Sequence, residues 1–64
     1  MKVKYDKEAD VLCITFSENK IAESDVDKPG IVLDYDMSGA VVGIEILDAS
    51  KKMDNPAKIE YEVA

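Results

Sequence analysis

The chain has 64 residues, with fourteen acids against eight lysines and a formal charge of −6. So short a chain forms one domain, residues 1–64, below the roughly 70–80 residues at which a single core supplies ample stability. The charge argues against nucleic-acid backbones and anionic membrane surfaces, and it favours neutral or basic partners.

Cys13 is the only cysteine and there is no histidine, so neither a disulfide nor a Cys/His zinc site can staple the fold. A second copy of the chain is then the expected source of extra burial, and a homodimer is expected. A lone cysteine fits a reducing compartment. The Met1–Asp6 stretch has no apolar core of signal-peptide length, and no run approaches a membrane span. The expectation is a cytoplasmic protein without membrane contact.

In chain order, Val3 and Tyr5 alternate with lysines, and Asp6-Lys7-Glu8-Ala9 reads as a turn. Leu12, Ile14 and Phe16 alternate with Val11, Cys13 and Thr15, the pattern of a half-buried strand. A four-residue turn pairing Tyr5 with Asp10 would set Val3 opposite Leu12, with both apolar sets on one face. Ser17 to Lys20 is a loop. Ile21 to Asp27 is mostly charged, which suits an edge strand, where charge discourages unwanted pairing.

Pro29-Gly30 turns the chain into Ile31–Leu47, the stretch that holds most of the apolar pattern. Ile31, Leu33 and Tyr35 alternate with Val32, Asp34 and Asp36. Val42, Ile44 and Ile46 alternate with Val41, Gly43 and Glu45. Asp36-Met37-Ser38-Gly39 suits a turn with positive φ at Gly39. An even-length loop puts both apolar sets on one face, whereas an odd loop separates them unless a bulge at Gly43 restores the match.

After Leu47, Asp48 or Ser50 can cap a short helical turn over Ala49–Met53, which Asn55-Pro56 ends. Ile59, Tyr61 and Val63 then alternate with charged residues as a final strand would. The expected fold is mostly β: an antiparallel meander sheet of five or six short strands with one short helical turn after the fifth.

Several of these stretches together are similar to a known family. They are Tyr5-Asp6-x-x-x-Asp10 with Leu12-x-Ile14, Pro29-Gly30-Ile31-Val32-Leu33-Asp34-Tyr35-Asp36, and Gly43-Ile44-Glu45-Ile46-Leu47-Asp48-Ala49-Ser50. They resemble the short prokaryotic proteins catalogued as domain of unknown function 2283. The likeness runs from Met1 to about Ser50, and the Gly43–Ser50 run is its most specific part. From Lys51 onward the chain departs from the pattern, and Cys13 stands where the family often has an aromatic residue. The resemblance implies a small β-rich domain with no established activity. It also implies an antitoxin-like binding role, because members are sometimes encoded beside small toxin-like proteins.

The residues offer little for enzyme chemistry. Without histidine the usual general base near neutral pH is missing. Cys13 has only Leu12 and Ile14 beside it, neither of which activates a thiol. Asp34 with Asp36, Asp6 with Asp10, and nearby Glu45 could act as carboxylate pairs, although Asp at a turn end more simply caps backbone. No catalytic residue and no cofactor is assigned.

Asp34, Asp36, Ser38 and Glu45 also approach the spacing of a helix–loop–helix calcium loop. Pro29-Gly30 and the β-branched Val41-Val42 speak against its flanking helices. The leading functional reading is a non-enzymatic protein-binding module with a basic protein partner. The alternatives are an acidic Ca/Mg-binding domain through Asp34–Glu45 and a small carboxylate-based enzyme. Val11, Cys13, Val32, Val41, Leu47, Ile59, Tyr61 and Val63 are the candidate interface residues.

Overall fold

The computed structural model describes all residues from Met1 to Ala64. Five strands form: β1 (Lys2–Asp6), β2 (Val11–Thr15), β3 (Glu23–Lys28), β4 (Ile31–Tyr35) and β5 (Val41–Leu47). One short helix, α1 (Ala49–Lys52), follows. Every strand pair is antiparallel, and the strands make one open sheet in the order β1-β2-β5-β4-β3.

The mostly-β antiparallel sheet and the helical turn after the fifth strand are as the sequence implies. The strand order departs from a simple meander. β5 inserts between β2 and β4, so β2 and β3 are not neighbours and the Phe16–Ala22 connection crosses one end of the sheet. The cause lies in composition. β3, Glu-Ser-Asp-Val-Asp-Lys, is exposed at all six positions and belongs at an edge. β5, Val-Val-Gly-Ile-Glu-Ile-Leu, is the longest and most apolar strand and takes the centre.

Register decides what each face carries. Tyr5 pairs with Leu12 and Val3 with Ile14. Leu12 pairs with Ile46 and Ile14 with Ile44. Ile31 and Leu33 pair with Ile46 and Ile44 in turn. Because side chains alternate along a strand, these residues share one face, here called the isoleucine face. The opposite face carries Lys2, Lys4, Asp6, Val11, Cys13, Thr15, Ser24, Val26, Val32, Asp34, Gly43, Glu45 and Leu47.

The first hairpin differs from expectation by two residues. Asp6, not Tyr5, closes the turn, opposite Val11, and Asp10 sits in the loop with φ +55°. A shift of two keeps Val3 and Tyr5 on the same face as before, so the apolar match survives. In the central hairpin the loop Asp36–Ala40 has five residues, and a bulge between the pairs Asp34↔Gly43 and Tyr35↔Val41 takes up Val42. The odd loop and the bulge together bring Ile31 and Leu33 back opposite Ile46 and Ile44. A second irregularity interrupts β3 between Val26 and Lys28.

The final strand does not form: Ile59–Val63 has no regular structure and all three apolar side chains are exposed. Alternation there is satisfied without pairing, since Ile59 and Tyr61 line a shallow hollow with Met1 and Val3. The sheet therefore has five strands, with β1 and β3 as its edges.

Candidate functional site

Three carboxylates organise the polar side chains. The first, Asp10, ties three parts of the chain together. Tyr5 donates its hydroxyl to Asp10 Oδ1 at 2.7 Å. The Ser50 amide donates to the same oxygen at 2.9 Å, and the Ser50 hydroxyl to Oδ2 at 2.6 Å. The Ala49 amide donates to the Asp10 carbonyl at 3.0 Å.

The first amides of a helix have no partner within it, and here Asp10 supplies both from a distant loop. Asp48, in the capping position, makes no side-chain cap bond and is itself left-handed at φ 52°. Hydrogen bonds from Ser50, then from Tyr5, hold the Asp10 carboxyl below its ordinary range. The same bond to Asp10 is the main reason the Tyr5 phenol is pushed up.

The second, Asp36, builds the central turn. Its Oδ1 accepts from the Ser38 amide at 2.9 Å, the Ser38 hydroxyl at 2.6 Å and the Ala40 amide at 3.1 Å. Its Oδ2 accepts from Asn19 Nδ2 at 3.1 Å, fastening the crossing loop to the hairpin. These bonds, Ser38's first, lower the Asp36 carboxyl. Asp6 plays the smaller version of this part, accepting from the amides of Glu8 and Ala9.

The third, Asp34, is the one buried charged side chain, 5% exposed. It lies on the face opposite the isoleucines, where Ser24 donates to Oδ1 at 2.6 Å from the neighbouring edge strand. Its other oxygen reaches over Gly43, its partner on β5: a Cβ on Gly43 would stand 3.3 Å from Asp34 Oδ2 and 3.1 Å from the Ile14 carbonyl. Gly43 thus makes room for a carboxylate laid across the central strand. Glu45, two residues along on the same face, has its carboxyl pushed up by partial burial first, and then by its hydrogen bond with Asp34 and that group's charge.

The calcium-loop arrangement does not form. Both flanks of the turn are strands, not helices. Asp34 and Glu45 meet on the sheet face, while Asp36 and Ser38 bond to each other at the turn. No group of three or more acidic or cysteine side chains converges in metal-ligating geometry.

Cys13 is half-buried on β2, and burial together with the nearby Glu45 pushes its thiol up, away from the reactive thiolate. Of the candidate interface residues, Val11, Cys13, Val32 and Leu47 share the Asp34–Glu45 face. Val41 lies at the bulge, and Ile59, Tyr61 and Val63 lie in the irregular tail. The Asp10 tie to Ser50 and the Ser24–Asp34 bond escape sequence reasoning, since they join residues 40 and 10 positions apart. Only the strand register could have revealed the second.

Fold and side-chain clusters define a small open-faced antiparallel β protein whose carboxylates fasten loops and a helix to one sheet. The family described as protein of unknown function (DUF2283) matches residues 2–50, and the chain belongs to that family. A relative from Methanocaldococcus jannaschii, named as an uncharacterized protein, is 43% identical over 51 residues, covering 80% of this chain and 43% of that protein. The chain spans less than half the length of that curated relative. No solved structure matches the chain. No helix is long and apolar enough to cross a membrane.

Proposed function

We propose that the chain is a non-enzymatic protein-binding module of the cytoplasm, working as a homodimer on a basic protein partner in an antitoxin-like role. The observation that carries this reading is how little the sheet covers. Among apolar side chains only Leu12, Val42, Ala49 and Pro56 are buried, and no large side chain is fully enclosed. An exposed sheet of this kind is a surface for other chains. The charge of −6 selects a basic or neutral partner. The residues that carry the family resemblance support the same reading, because Tyr5, Asp10, Ala49 and Ser50 spend their polar groups on one another.

Affinity capture with the tagged chain, followed by calorimetry of the purified captured protein at low and high salt, tests it. A stoichiometric complex with a basic protein that weakens with salt is expected. Captured proteins that do not rebind once purified would overturn the proposal.

A carboxylate-based enzyme is the second reading, and the Asp34–Glu45 pair favours it. One carboxyl held toward its neutral form beside another carboxyl is an arrangement used in acid–base catalysis. Asp34 lines a hollow with Thr15, Ser17, Glu18 and Gly43, but the chain has no histidine to serve beside the pair as a base near neutral pH, which is why it ranks second. The same two groups are all that remains of the cation-binding reading, and calorimetry with calcium tests it. A binding heat abolished by Asp34→Asn would revive it.

A further inference from the structure

We infer that the isoleucine face of the sheet is the surface on which a second copy of this chain docks, face to face about a two-fold axis parallel to β5 and midway between the sheets. The inference rests on the homodimer proposed above and specifies its surface. The isoleucine face carries Val3, Tyr5, Leu12, Ile14, Ile31, Leu33, Ile44 and Ile46. Its charged side chains stand on the edge strand β3: Glu23, Asp25 and, past the bulge, Lys28 opposite Ile31. Ile14, Leu33 and Ile44 stand on the three inner strands, yet each keeps part of its surface open to solvent. α1 is anchored at the Tyr5–Leu12 end, and the segment after it reaches Val3 at the β1 edge, where Ile59 and Tyr61 line a shallow hollow with it.

Area identifies the occupant. A folded monomer of 7.1 kDa is expected to expose about 4,100 Å². This chain exposes 5095 Å². The excess, roughly 1,000 Å², is close to the roughly 800 Å² that one partner contributes to a standard interface.

The position of β5 makes the face self-complementary. β5 is the middle strand of five, so a two-fold axis parallel to it and midway between the sheets sets Ile44 against Ile44 of the partner subunit and stacks the sheets as in a sandwich. The same axis lays each acidic β3 over the partner's β1 rather than over its β3, keeping Glu23 and Asp25 away from their own copies. Edge-to-edge pairing is the poorer route, since β3 is fully exposed, charged and bulged. A basic partner is not drawn to this face, because its centre holds no charge. The other face, with Glu45 part-exposed on the central strand, is left for one.

The experiment uses the purified full chain alone, so its outcome is independent of whether any other partner exists. Light scattering is expected to give a dimer at micromolar concentration. Ile44→Lys should halve the mass, while Val11→Lys, on the other face, should leave it unchanged.

Because Ile44→Lys could unfold the chain, a gentler pair of variants accompanies it. Ile44→Cys and Val11→Cys, each with Cys13→Ser, are labelled with a maleimide over a range of concentration. Labelling at residue 44 should slow as concentration rises, and labelling at residue 11 should not. A monomer throughout, a dimer lost through Val11→Lys but not Ile44→Lys, or labelling at residue 44 that ignores concentration overturns the inference. So does protection of residue 44 only on adding a different protein.

Discussion

At the scale of single residues, the sheet and its loops hold carboxylates in opposite electrostatic positions. Glu45 is raised, chiefly by burial and then by Asp34, so its folded form binds protons more readily than its unfolded form. Its charge therefore costs stability at neutral pH, and the cost is relieved as pH falls through its raised value toward the ordinary glutamate range. Glu45→Gln should raise Tm at pH 7, and the gain should shrink toward pH 4; a Tm difference independent of pH would remove the Asp34–Glu45 coupling from the account. Asp10 is lowered, chiefly by Ser50, so its contribution is present above the ordinary aspartate range and is lost as pH falls below it. Asp10→Asn should flatten the acid limb of the Tm–pH curve and loosen α1, read as faster amide exchange at Ala49 and Ser50. A curve superimposable on the parent's would show that these hydrogen bonds do not matter in solution.

At the scale of elements, the central hairpin depends on two glycines for different reasons. Gly39 holds φ at +85° with open space around its Cα, so the cost of a side chain there is conformational alone. Gly39→Val should destabilise by about 1–2 kcal/mol or more. Ser38→Ala, which removes one hydroxyl from an exposed turn, should cost less. Gly43 is limited by space, with a backbone carbonyl on one side and the Asp34 carboxylate on the other. Gly43→Ala should lower stability, and pairing it with Asp34→Ala should recover part of the loss. Additive losses in denaturant melts would mean the two residues are not in contact. The strand order belongs to this scale too: β5 displaces β3 from the middle because only β5 has apolar side chains to pair with both β2 and β4.

At the scale of the whole molecule, one twisted layer cannot enclose a core. The chain spans 33 × 31 × 19 Å, a slab rather than a sphere. Ile44→Ala in the assembled protein should cost about 2–5 kcal/mol, the range for a buried large aliphatic residue, although Ile44 is only half-buried within a single chain. A loss well below that range in urea melts would place Ile44 at an open surface. Assembly also makes Tm rise with chain concentration, by mass action. A Tm constant over a hundredfold dilution would argue for an independent monomer.

The sequence by itself determined the strands, because period-two alternation at Leu12-x-Ile14, Ile31-x-Leu33 and Ile44-x-Ile46 is local information. It also determined the turn at Gly39 and the helical stop before Pro56. What alternation cannot carry is which strands become neighbours. The sixth strand failed for this reason: Ile59-x-Tyr61-x-Val63 has the period of a strand but no neighbour to pair with. The calcium-loop spacing was likewise a one-dimensional match, undone once Asp34 and Glu45 sat on facing strands. Only the tertiary structure decided that a loop aspartate, Asp10, caps a helix 40 residues away, that Asp34 crosses Gly43, and that the isoleucines gather on one face. Each is fixed by register and strand order, which depend on pairings between distant segments and leave no periodic trace in the chain.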